Sequence, residues 1–201
     1  MRASFWRTLK KEPVGKGNKP AMKIETKAVH AGDRKRRSGA AIPSATPIHT
    51  ATSYIYEDTA QLDRVLGREE PGFSYSRYDN PSNAALEELV ASLENGHDAL
   101  ACSSGMAALH IGILAALTDR PKSVLAASAI YGATTAMLMN VLEPLGIAVN
   151  FVDICDLEAV RRKIAECSPG CVAMETISNP LLRVGDLDGI AELTHAAGAA
   201  L

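Results

Sequence analysis

The second half of the sequence alternates short apolar runs with longer segments in which apolar residues recur every three or four positions. Short apolar runs bounded by turn residues are typical of buried strands, and the longer period is typical of helices. Buried strands are predicted at 99–102, 124–128, 147–152 and 170–176, with the start of a fifth at 199–201. Because strands that alternate with helices build βαβ units, the sequence predicts an α/β fold with a mostly parallel sheet and helices on both faces.

The predicted helices have recognisable ends. The first follows Asn80-Pro-Ser82, carries one apolar face and has Gly96 at the C′ position. Asp156 and Asp186 are suited to cap two later helices, because an aspartate oxygen accepts from the unpaired N–H groups of a first turn. Two further helices are predicted at 104–117 and 134–145. The 104–117 segment is apolar nearly all round, so we expect this helix to be buried.

Composition excludes several classes of partner. The net charge is −2, which favours neither nucleic acid nor an anionic membrane surface, and no apolar run is as long as a membrane span. The four cysteines form no CxxC pair and have no neighbouring histidines that would complete a zinc site. We therefore expect reduced thiols and a cytoplasmic protein without metal.

The chain divides into three parts by composition. Residues 1–21 carry six Lys or Arg residues against one Glu and are broken by Gly and Pro, which predicts a disordered basic extension. Residues 22–62 resemble an extended amino-terminal arm, of the kind that finds its partner on another subunit. Residues 63–201 are expected to be the first part of the α/β domain, incomplete at the carboxyl terminus. Because the sequence ends inside a predicted strand, we expect a fragment of a longer protein or a truncated product.

Small polar residues stand where the first predicted strand passes into a helix, in the stretch Ser103-Ser-Gly-Met106. A helix amino terminus offers unpaired N–H donors and a positive dipole end, and Gly105 lets an anion approach the backbone. The stretch suits a phosphate group, although a capped turn without chemistry fits it equally well. It is neither GxGxxG nor a P-loop, so a nicotinamide-dependent dehydrogenase lacks its fingerprint here.

Two further clusters follow the ends of later strands. Tyr131, beside Gly132, can stack on a planar cofactor or simply pack in a surface turn. Asn179, held extended by Pro180, can donate a hydrogen bond to a phenolate-like oxygen or close an Asx turn. Because the carboxyl ends of parallel strands meet at one edge of a sheet, we expect these clusters and the serine-glycine turn to converge.

An earlier pair is formed by Tyr75 and Arg77. Two positions apart in an extended chain, their side chains share a face. A phenol and a guanidinium on one face suit a phosphate, and the alternative is a solvated loop arginine.

Taken together, these stretches resemble one known family. The order and spacing of YSRYDNPS, ACSSGMAAL, IYGAT and METISNP are similar to those of the pyridoxal-phosphate-dependent (PLP-dependent) enzymes of Cys/Met metabolism, the transsulfuration enzymes. The resemblance covers about residues 23–201 and rests on four linked motifs rather than on any single one.

The resemblance implies an aspartate-aminotransferase-like large domain of PLP fold type I and a homotetramer built from tight dimers. It implies that pyridoxal 5′-phosphate is held by Ser104, Gly105 and Met106 at its phosphate. It also implies that Tyr131 stacks on the ring and helps to transfer protons, and that Asn179 lies beside the 3′ oxygen. Tyr75 and Arg77 match the pair that reaches the phosphate of the neighbouring subunit. Glu175, in the same motif as Asn179, is the candidate on the substrate side.

Some positions depart from the family pattern. Asp79 stands where the family usually has Gly, and Ala133 stands where many methionine γ-lyases have Cys. The lysine that binds the cofactor, the aspartate facing the pyridine nitrogen and the small carboxy-terminal domain are all expected beyond Leu201.

The expected activity is γ-elimination or γ-replacement at cystathionine or an O-acylhomoserine, that is, a lyase or transferase of methionine and cysteine metabolism. A β-lyase or a methionine γ-lyase is an alternative on the same scaffold. A second alternative is a catalytically inactive truncated chain that only assembles with complete subunits. The expected partners are an amino-acid substrate and further copies of the chain, with no nucleic acid and no membrane.

Overall fold

The computed structural model describes residues 22–31 and 45–201. The chain divides into two compact units, Met1–Ala101 and Cys102–Leu201. The basic extension predicted for 1–21 and the part of the predicted arm at 32–44 lie outside the described residues.

The first unit contains three helices among its described residues: α1 (Ile24–His30), α2 (Thr59–Leu66) and α3 (Pro81–Leu93). The arm predicted to be extended is thus partly helical, and α2 crosses the expected boundary at residue 62. Asp58 caps α2 by accepting from the Gln61 N–H. Lys27 Nζ donates to the Ser92 carbonyl at 3.0 Å, which holds α1 against α3.

Helix α3 begins as predicted. Asn80 is its N-cap and accepts from the Ser82 N–H, with Pro81 at the first helical position. At its other end the left-handed residue is Asn95, with φ of 52°, so the prediction that Gly96 takes this role is wrong. Asn is one of the few residues whose side chain tolerates this conformation, which explains how it replaces glycine.

Three parallel strands form the sheet of the second unit, in the order β2-β1-β3. They are β1 (Ser123–Ala127), β2 (Ala148–Val152) and β3 (Cys171–Ala173). Val124 of β1 lies opposite Val149 on one side and Cys171 on the other. Ala200 forms a parallel bridge with Cys171, so the predicted fifth strand begins where expected.

Helices cover both faces of this sheet, as predicted. They are α4 (Gly105–Ala116), α5 (Gly132–Met137), α6 (Leu157–Cys167) and α7 (Leu187–Ala196). A π-helical turn and a 3₁₀ turn extend α5 to Leu145, and Gly146 closes it in the left-handed conformation. Val124 and Ala126 pack with residues of α4 and of the π-helical turn, whereas Leu125 and Val172 pack with residues of α6 and α7.

Two predictions about residues 99–117 are wrong. Residues 99–102, which the structure describes, form no strand. The Ala99 and Ala101 N–H groups donate to side chains, those of Asp98 and Glu87, instead of to a neighbouring strand. Helix α4 is also less buried than expected, because Leu109, Ile111 and Leu114 are each at least 40% exposed.

Leu125 is fully buried in the central strand, so Leu125→Ala should lower the free energy of unfolding by about 2–5 kcal/mol. Leu145→Ala is the matched control, because this leucine is 64% exposed. Urea denaturation of both variants checks the prediction. Equal losses in the two variants would contradict this assignment of the core.

Candidate functional site

The amino terminus of α4 leaves backbone donors open. Ser104 is the N-cap: its Oγ accepts from the Ala107 N–H at 3.1 Å, and its carbonyl accepts from the Ala108 N–H at 3.0 Å. Among the described residues, the N–H groups of Gly105 and Met106 have no hydrogen-bond partner. A helix end with two open N–H groups and the positive end of the helix dipole is suited to bind an anion.

Gly105 leaves space at this helix end. A Cβ built on Gly105 would meet no atom within 4 Å. Packing inside the chain therefore does not require glycine here. The missing side chain instead leaves the backbone N–H groups accessible to an outside group, and such donors suit an anion.

Tyr131 follows β1 and precedes α5. Its backbone N–H donates to Glu175 Oε1 at 3.0 Å, across 44 residues of sequence. Tyr131 is 48% exposed, so the residue is accessible from outside the chain. The structure thus brings together two of the clusters that the sequence predicted to converge.

Asn179 lies in the loop after β3, next to a cis peptide bond with Pro180. Its N–H donates to Glu175 Oε2 at 3.3 Å. Within the described part of the chain its side-chain amide makes no hydrogen bond, so the Asx turn considered as an alternative does not form. The amide is exposed and available to an incoming group.

The loop that carries Asn179 is closed by its own residues, which sequence reasoning missed. Ser178 is buried, its N–H donates to the Arg183 carbonyl, and its Oγ accepts from the Arg183 N–H. The Arg183 guanidinium donates to Asp153 Oδ2 at 2.6 Å, at the end of β2. The serine before Asn-Pro could have indicated a residue that closes the loop, but no sequence pattern identifies Arg183, five residues later, as its partner.

The pKa of Asp153 is lowered from its usual value. The main cause is the hydrogen bond from the Cys155 N–H, and the Arg183 side chain adds to it. Asp153 therefore favours its charged form, which strengthens the link between the ends of β2 and β3.

A cavity of about 530 Å³ borders this edge of the sheet. Its lining includes Ala108 from the first turn of α4, Thr134 from α5, and Glu175 and Thr176 after β3. The amino-terminal part of α4 therefore lies near the carboxyl end of β3. The cavity walls are mostly apolar, and its lining does not include Gly105, Tyr131 or Asn179.

Tyr75 and Arg77 lie in the first unit. Tyr75 forms an antiparallel bridge with Ser53, and the Arg77 guanidinium lies 5.1 Å from the centre of its ring. The guanidinium is also 5.6 Å from the ring of Tyr78, a neighbour that sequence reasoning missed. Asp79 does not adopt positive φ, so this turn has no need of the glycine usual at that position.

Residues 22–31 and 45–201 contain neither a metal-ligand cluster nor a long apolar helix. No group of His, Cys, Asp or Glu side chains there is arranged to hold a metal ion. Among the same residues no helix has the length and apolar character needed to cross a membrane.

Solved structures with the same fold define the class of protein. A Campylobacter jejuni structure that contains N′-pyridoxyl-lysine-5′-monophosphate matches with a TM-score of 0.73 and 26% identity, over 89% of this chain and 43% of that one. Cystathionine gamma-lyase from Lactobacillus plantarum, complexed with L-serine, matches with a TM-score of 0.72 and 30% identity, over 89% and 44%. The chain has the α/β fold of the fold type I PLP-dependent enzymes.

The model of the Cys/Met metabolism PLP-dependent enzyme family matches residues 25–201, and the chain belongs to that family. Homocysteine synthase of Schizosaccharomyces pombe is 37% identical over 178 residues, which is 89% of this chain and 41% of the relative. L-methionine gamma-lyase of Fusobacterium nucleatum subsp. polymorphum is 34% identical over 172 residues, 86% of this chain and 42% of the relative. The chain thus spans about two fifths of the length of these relatives.

The Asp153–Arg183 link predicts a pH dependence. Because the pKa of Asp153 is lower in the folded chain, its stabilising contribution is present above the unfolded pKa, about 3.9, and is lost as pH falls through the folded pKa. Wild type should therefore lose more of its urea midpoint between about pH 6 and about pH 3 than Asp153→Asn does. Glu192→Gln is the control, since Glu192 is exposed and makes no hydrogen bond or ion pair in the described chain. Identical pH profiles for wild type and Asp153→Asn would show that the Asp153–Arg183 link contributes nothing to the stability of the fold.

Proposed function

We infer that the protein is a PLP-dependent enzyme of sulfur amino-acid metabolism, which catalyses γ-elimination or γ-replacement at cystathionine or an O-acylhomoserine. The observation that carries the cofactor part of this proposal is the amino end of α4, where the N–H groups of Gly105 and Met106 are unpaired in the described chain and face open space. The names of the relatives support the reaction class: homocysteine synthase, O-succinylhomoserine sulfhydrylase and methionine gamma-lyase act on related substrates.

The residues that would hold the cofactor come from separate parts of the chain. Ser104, Gly105 and Met106 would bind its phosphate at the start of α4. The exposed Tyr131 ring would stack on its pyridine ring, and the Asn179 amide would donate to its 3′ oxygen. When bound, pyridoxal phosphate acts as an electron sink that stabilises negative charge on the carbon atoms of an amino-acid substrate.

Tyr131 is the proposed catalytic residue of this chain. Its phenolic oxygen can accept or return a proton, and the exposure of about half of Tyr131 supports access to that oxygen from outside the chain. The Glu175 carboxylate accepts a hydrogen bond from the Tyr131 N–H, which fixes the main chain that carries the ring.

The proposed assembly is a homotetramer made of two dimers, located in the cytoplasm. Tyr75 and Arg77 would reach the phosphate in the neighbouring subunit, with the guanidinium oriented by the two rings that it contacts. The division into an extension at 1–21, an arm at 22–62 and a cofactor domain from 63 onward belongs to the same proposal.

Gly105→Val tests the phosphate site. The valine side chain would occupy the space of the phosphate and remove charge-assisted hydrogen bonds, which should weaken binding of pyridoxal 5′-phosphate by about tenfold or more. Binding is followed by fluorescence titration, with pyridoxal as the compound that lacks the phosphate. Wild type should prefer the phosphorylated compound, and Gly105→Val should lose most of that preference.

Gly112→Val is the matched control for this experiment. Gly112 lies about two turns further along α4, and a Cβ there also meets no atom within 4 Å. Gly112 lines the cavity beside the site, but Gly105, Tyr131 and Asn179 do not, so Gly112→Val should bind both compounds as wild type does. A wild-type chain without preference for the phosphorylated compound, or a Gly105→Val variant that keeps the preference, would contradict the proposed site.

A further inference from the structure

The Glu175 carboxylate lies between two backbone amides. Oε1 accepts from the Tyr131 N–H at 3.0 Å and Oε2 accepts from the Asn179 N–H at 3.3 Å. The side chain is partly buried, two residues after the end of β3. Among the described residues these two N–H groups are its hydrogen-bond partners, and no Lys or Arg forms an ion pair with it.

This geometry differs from the role that the sequence suggested for Glu175. A carboxylate that recognised the ammonium group of a substrate would keep its oxygens directed to that group. Here each oxygen is already engaged by a main-chain donor. The two donors belong to the two residues whose side chains are proposed to face the cofactor ring.

We propose that Glu175 is a positioning residue, which fixes the main chain of Tyr131 relative to that of Asn179 and so sets the spacing of their side chains. This proposal rests on the proposed function, because it assigns those side chains to the cofactor ring. Glu175 makes no contact with substrate in this account. It acts through the two residues that it holds.

In the described chain, no other hydrogen bond joins the loop after β1 to the loop after β3. Tyr131 is the N-cap of α5, so its N–H has no partner inside the helix. Asn179 lies in an exposed loop whose other hydrogen bonds are internal, through Ser178 and Arg183, or run from Arg183 and Val184 to the segment after β2. The Glu175 carboxylate gives each donor its own oxygen, whereas an amide side chain has a single acceptor oxygen for the two donors.

Glu175→Gln tests the link because it keeps the size of the side chain and removes one acceptor. The amide nitrogen of Gln can only donate, so one of the two N–H groups would face another donor. In the cofactor-free chain, ¹H–¹⁵N NMR should show faster hydrogen exchange and a shifted amide proton for Tyr131, Asn179 or both. Glu192→Gln removes the same charge from an exposed position on α7 and should leave both amides unchanged. If Glu175→Gln also leaves both unchanged, the link does not exist and the proposal is overturned.

Cofactor binding then separates positioning from a general loss of structure. Glu175→Gln should weaken pyridoxal 5′-phosphate and pyridoxal by the same factor, about tenfold, because both compounds have the ring that Tyr131 and Asn179 contact. The preference for the phosphorylated compound should stay as in wild type, which distinguishes this variant from Gly105→Val.

Three results of the binding experiment would overturn the proposal. The first is unchanged affinity for both compounds in Glu175→Gln, and the second is a loss confined to the phosphorylated compound. The third is a wild-type chain that binds neither compound, which contradicts the proposed function itself. In that case the NMR data still show whether Glu175 links the two loops, so the two failures are distinguishable.

Discussion

The central strand β1 is the constraint on which the rest of the second unit depends. All five of its residues are buried, and it pairs with β2 on one side and with β3 on the other. A strand in this position can be stable only if apolar helices cover both faces of the sheet. The alternation of Val124, Leu125 and Ala126 between two apolar clusters therefore sets which helices lie on each face.

The position of the site follows from this sheet. Because its strands are parallel, the segments after β1, β2 and β3 leave from the same edge. Two polar links then connect these segments: Glu175 joins the loops after β1 and β3, and Arg183 with Asp153 joins those after β2 and β3. The exposed side chains of Tyr131 and Asn179 are thus carried by main chain that is tied to its neighbours, which is the arrangement that holding a planar ligand requires.

The residues that cap helix amino termini were predictable from the sequence, whereas the side-chain contacts that link separate segments were not. Asn80, Asp156 and Asp186 cap helices as expected, because capping depends on residues within one turn. The strand expected at 99–102 does not form, because strand formation depends on a pairing partner that a short apolar run does not specify. The bond between Tyr131 and Glu175 joins residues 44 apart, and the contact of Arg77 with Tyr78 depends on the turn that follows it, so neither has a pattern to reveal it. The roles of the candidate site residues stay predictions, because they come from motif resemblance.

The most direct test of the proposed phosphate site is a crystal structure of the chain grown with pyridoxal 5′-phosphate. We expect phosphate oxygens about 2.7–3.1 Å from the nitrogens of Gly105 and Met106, with the ring against Tyr131 and the Glu175 carboxylate still bonded to both loops. A phosphate bound at another surface, with the amino end of α4 left open, would contradict it.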